Sequence, residues 1–95
     1  MLTIDDFTPH IGTEFVARAG DFEDRLTLVE AVPSHSPPPE GYRHAFSLLF
    51  DGIRDDGMIT NIIEIDHPVM GMQMLTPSAI GRSPIGGFRY EVAFN

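Results

Sequence analysis

Apolar and polar side chains alternate along this chain in one segment after another, and between those segments no helical apolar pattern lasts for about ten residues or more. That combination limits the fold more than any other feature of the sequence. A parallel strand pair needs a crossover of about a dozen residues, usually helical, so strands joined only by turns and loops must pair antiparallel. The alternation is strictest in residues 87–95, where Phe88, Tyr90, Val92 and Phe94 fall on one face and Arg89, Glu91, Ala93 and Asn95 on the other. Burying each of those apolar side chains contributes about 1.5–3 kcal/mol, a large share of the ~5–15 kcal/mol net stability of a domain. A C-terminal core strand is expected, with Phe88 and Tyr90 inside and Arg89 and Glu91 solvated.

The same pattern predicts strands over residues 13–18, 25–32, 43–50, 58–66 and 70–76. Phe15 and Ala17 oppose Val16, Leu26 and Leu28 share a face, and Phe46, Leu48 and Phe50 point one way. Leu49 gives the third of these strands a half-apolar second face, which places it centrally. In residues 58–66, Ile59, Ile63 and Ile65 line one side, and Ile62 interrupts the polar one in the manner of a bulge near Asn61. Ahead of the strands, Thr3 followed by Asp5 and Asp6 reads as a capped helical turn that Pro9 and Gly12 end quickly, so that Ile4, Phe7 and Ile11 plug one end of a sheet. Residues 33–41, rich in proline that cannot donate to a ladder, form an extended loop, and residues 51–57 a tight Asp- and Gly-rich connection. Residues 77–86 read as an irregular connection. About six short strands with distinct faces fit an all-β antiparallel meander closed into a small barrel, with a two-layer sandwich as the alternative.

At 95 residues, with 42% hydrophobic and 21% charged side chains, residues 1–95 make one folded domain with one modest core. The formal charge is −8, carried against six arginines and no lysine, which repels phosphate backbones and anionic membranes and argues against a nucleic-acid or membrane partner. The absence of cysteine excludes disulfides, thiolate metal ligands and thiol catalysis. An acidic start at Asp5 and Asp6, with no long apolar run, lacks the form of a signal peptide or a membrane helix, so a cytoplasmic protein is expected.

Candidate chemistry is sparse. Asp6 and His10 lie one helical turn apart without a third ligand, and acids near a helix start are ordinarily caps. His67, between Asp66 and Pro68, suits turn chemistry. Residues 51–57 have oxygens around glycines, but lack the alternating acids and twelfth-position Glu of a calcium loop. Ser34, His35 and Ser36 sit in the proline-rich loop without a nucleophile elbow, and Asp21, Glu23 and Asp24 read as a solvated acidic turn. No catalytic, cofactor-binding or metal-binding residues are assigned, and no cofactor. Met70, Met72 and Met74 share one face; core filling is the ordinary reading of such a stripe, and an adaptable interaction edge the functional one.

Several segments carry a family resemblance: residues 2–7 with Gly12-Thr13-Glu14-Phe15, residues 26–32, Phe46-Ser47-Leu48-Leu49-Phe50, His67-Pro68-Val69-Met70-Gly71, and residues 89–95. Together, over nearly the whole chain, they resemble a family of small bacterial proteins known only as a domain of unknown function. Residues 33–41 and 54–61 are less typical of it. The resemblance implies an association with phage-tail-collar-type proteins and so a place in a phage-derived assembly, and it brings no catalytic residues. The expected function is a non-enzymatic structural or protein-interaction domain, with a protein partner or a second copy docking at the Met70–Met74 edge. The alternative is a small barrel that carries an apolar ligand.

Overall fold

The computed structural model describes residues 2–41 and 44–95. A short helix α1 (Ile4–Phe7) and a single 3-10 turn (Thr8–His10) precede seven strands: β1 (Glu14–Ala19), β2 (Phe22–Pro33), β3 (Phe46–Gly52), β4 (Ile63–His67), β5 (Gly71–Leu75), β6 (Ser78–Arg82) and β7 (Phe88–Phe94). The expected start of the third strand at Arg43 lies outside the described residues.

The all-β, antiparallel expectation holds, as every ladder is antiparallel and the strands make one sheet in the order β5-β4-β1-β2-β3-β7-β6. The closed barrel does not. β5 and β6 are the two edges and do not pair with each other, which fits the two-layer alternative. Only Thr76 and Pro77 separate these edge strands in sequence. Three Cα–Cα steps reach at most ~11 Å, whereas a flat sheet of this order would hold its edges ~29 Å apart. The sheet therefore coils round its core until its edges approach at that corner.

The simple meander also fails. β1, β2 and β3 follow one another, but the chain then crosses from β3 to the far side of β1, so residues 53–62 form a long connection and not the expected hairpin loop. Residues 58–62 are outside any strand, which removes the expected bulge near Asn61. Two interactions direct this crossing. Asp24, almost fully buried, accepts hydrogen bonds at Oδ1 from the backbone N–H groups of Arg25 (2.8 Å), Ile53 (3.1 Å) and Arg54 (3.2 Å), tying the start of the connection to β2. Further on, buried Ile59 donates its N–H to the Tyr90 hydroxyl at 3.1 Å. Close packing at the same end demands glycine: a Cβ on Gly87 would lie 2.5 Å from the Gly52 carbonyl oxygen. Asp24 is thus a buried backbone acceptor and not part of a solvated acidic turn.

Inward positions follow the alternation. Phe15, Ala17, Leu26, Leu28, Phe46, Leu48, Phe50, Ile63, Ile65, Tyr90, Val92 and Phe94 are all buried. The N-terminal turn does plug this core. Phe7 is wholly buried, with ring centroids 6.0 Å from Phe46 and 5.5 Å from Phe94, and Leu2 and Ile4 pack beside it. Ile11, expected in the plug, is exposed. On β7, Phe88 is only half-buried beneath the Arg82 guanidinium, and Arg89 is not merely solvated. Arg89 forms a two-pronged ion pair with buried Asp51 directly across β3–β7, at 2.7 and 2.9 Å.

Candidate functional site

Several of the polar groups that suggested chemistry are occupied by structural tasks. Asp6 caps α1, its carboxylate accepting the Thr3 backbone N–H at 2.8 Å. In residues 51–57, Asp51 pairs with Arg89, and Asp56 pairs with Arg54 through two bonds of 2.8 and 2.6 Å, so their oxygens are directed at guanidinium groups. Among the described residues, no group of three or more His, Asp or Glu side chains is arranged to hold a metal ion.

His67 closes β4 and organises the turn that follows. Its Nδ1 accepts the backbone N–H groups of Val69 (3.1 Å) and Met70 (3.2 Å), which assigns the ring proton to Nε2. That Nε2–H donates to the Thr13 hydroxyl at 3.0 Å, and Thr13 donates in turn to the His10 carbonyl. The ring is buried against Phe15 and His10, at centroid distances of 4.4 and 4.6 Å. Burial, reinforced by the His10 imidazole and opposed by Asp66, pushes the His67 pKa below its ordinary value. A neutral ring that holds a turn is what these contacts require. Gly71, at φ 78°, then supplies the left-handed step into β5.

The turn leads to the least protected backbone in the sheet. β5 pairs with β4 over five residues without a bulge, and among the described strands its other side is free. Met72 and Met74 are each 52% exposed, which overturns the core-filling reading for both, while Met70 lies in the turn and is half-buried against the core. Register sets Met72 opposite Asp66 and Met74 opposite Glu64. Both carboxylates face Arg18, whose Nη1 is 3.5 Å from Asp66 and 3.9 Å from Glu64. Ile62, 59% exposed and two positions before Glu64, extends the apolar row.

Where the sequence predicts an irregular connection over residues 77–86, the structure forms β6, the opposite edge. It pairs with β7 through a register shift between Ala79 and Gly81. A bulge of this kind twists an edge away from further pairing, and β5 has no such device. Charge is missing from β5 as well: residues 68–81 contain no Asp, Glu, Lys, Arg or His in a chain whose charged fraction is 21%, whereas β6 ends on Arg82. That run was visible in the sequence and gains meaning only once the whole of the β5 edge is seen to lie in it.

Two clefts, of about 280 and 240 Å³, open at the other end of the sheet beside the proline-rich segment. Val32, Phe46 and Phe94 contribute to the larger and Pro37, Pro38 and Pro39 to the smaller, so both lie outside the packed interior. No helix among the described residues is long and apolar enough to cross a membrane.

A family model described as a domain of unknown function (DUF6916) matches residues 2–94. The chain belongs to that family. No curated protein and no solved structure matches it. The DUF6916 match spans α1 and all seven strands, so the Asp24 tether, the His67 turn and the β5 edge all fall within the family domain. It carries no link to tail-collar proteins or to bacteria.

Proposed function

We propose that the chain is a non-enzymatic protein-interaction domain that accepts a partner's strand along β5. The observation that carries this reading is the pairing of an unbulged, charge-free edge with two half-exposed methionines. Natural sheets blunt their edges with charge, proline or bulges, because unpaired backbone groups are a template for another strand. β5 has none of these along its length, and its thioether side chains adapt to varied surfaces. Strand addition draws affinity from the backbone and selectivity from alternate side chains, here Met72 and Met74.

The test is capture from native extract, followed by reconstitution with each captured protein in purified form. Wild-type chain is expected to bind a reconstituted partner that Met72→Arg loses and that a variant on the far side of the molecule, Ser36→Ala, retains. A chain that remains a monomer, yields no reconstituted partner, and behaves the same with Met72→Arg would overturn the reading.

A further inference from the structure

We infer that the strand added at β5 is the β5 strand of a second copy of this chain, paired antiparallel about a two-fold axis through Gln73. The inference rests on β5 as the contact edge and goes further by specifying the occupant.

Three observations select a second copy. The first is the distribution of charge. A chain of net charge −8 resists self-association wherever its acids meet, yet β5 and its flanks are uncharged over residues 68–81. The nearest carboxylates, Glu64 and Asp66, are one strand inward on β4 and are shared with Arg18. Across a β5–β5 junction the two β4 strands would lie ~14 Å apart, beyond the ~8 Å screening length at physiological salt. Because Arg18 already serves those acids, the edge makes no demand for a basic partner.

The second observation is self-complementarity. Antiparallel pairing about a two-fold perpendicular to the sheet sets a residue opposite its own copy and keeps each face on its own side. Centred on Gln73, it sets Met72 against Met74 of the other copy and Gly71 against Leu75, using the whole of β5. Gln73 meets its twin with an amide that both donates and accepts, so no like charges or lone donors confront each other.

The third is that only one edge is suited to it. The bulge in β6 obstructs head-to-tail addition of β6 to β5, which would build open filaments, whereas β5–β5 pairing closes after one step and joins two seven-stranded sheets.

Two measurements on the purified full chain test this. Sedimentation across a concentration series should show wild type at twice the mass of one chain. Met74→Arg should raise the dimer dissociation constant about tenfold or more while leaving the melt of the dilute, monomeric chain unchanged, since Met74 is half-exposed in the single chain. The natural chain has no cysteine, so Gln73→Cys should form a covalent dimer on mild oxidation, while Ser36→Cys at the same concentration should not. A chain that stays monomeric at every concentration, with Gln73→Cys cross-linking no faster than Ser36→Cys, overturns the inference. So does a dimer whose affinity Met74→Arg leaves unchanged. Strand addition by a different protein is judged separately, by the reconstituted partner and Met72→Arg.

Discussion

Replacing Tyr90 with Phe tests how the long connection between β3 and β4 is held. The ring of Tyr90 is completely buried, and its hydroxyl is the acceptor for the Ile59 N–H at 3.1 Å. Burial raises the pKa of this phenol, so it remains a neutral hydroxyl at ordinary pH. Phe keeps the ring and its apolar contacts and removes only the oxygen. The cost is then that of leaving one buried backbone donor without a partner, about 1–3 kcal/mol. In a domain of this size 1 kcal/mol lowers the melting temperature by roughly 4–8 °C, so the variant should melt about 4–24 °C below wild type. Tyr90→Ala, which also empties the ring's volume, should cost about 3–5 kcal/mol. Urea denaturation is the assay, with the midpoint falling and the slope unchanged. If Tyr90→Phe matches wild type, the Ile59 amide has another acceptor and Tyr90 does not anchor the crossing.

Other consequences concern the outer face and the His67 turn. Arg89→Ala should lower the urea midpoint more than Glu91→Ala, because it strands the buried Asp51 carboxylate; Arg89→Ala combined with Asp51→Ala should recover part of the loss, and equal single-variant effects would refute the pairing. His67 has a folded-state pKa below its ordinary 6.5, so the unfolded chain takes up its proton first as the solution is acidified. The stabilisation from the neutral ring is therefore complete above pH 6.5 and is lost as pH falls from there through the lowered folded value. Melting temperatures between pH 7.5 and 5.5 should show this decline in wild type and a shallower one in His67→Gln; matching slopes would mean that the ring is not held neutral.

The faces of β1, β2, β3 and β7 were legible in the sequence because their neighbours bury one side only, which leaves a period of two. Phe15, Leu26, Leu48 and Val92 all lie where alternation put them. Topology was less visible. Asp51, Gly52, Asp55 and Gly57 have the composition of a tight turn, but the carboxylate that directs residues 53 and 54 belongs to Asp24, far away in sequence. Strand β6 was hidden by the flanking Pro77 and Pro84, by Gly81 and by its bulge, and an edge strand tolerates the last two since it must pair on one side only. The methionines show the same limit at the candidate site. Hydropathy marks Met72 and Met74 as apolar, but they lie on the outer face of β5 opposite Asp66 and Glu64, while Leu75 takes the buried face. Arg89 looked solvated because its partner, Asp51, appeared to belong to a turn.

Residue-resolved amide hydrogen exchange over Gly71–Leu75 bears most directly on the claim that β5 is the working edge. The chain would be measured dilute, concentrated, and together with any reconstituted partner, with the β6 amides as the internal reference. Protection that rises along β5 on assembly while β6 remains unchanged is the predicted result. Assembly that leaves β5 exchange unaltered, or that protects β6 in its place, would contradict the account.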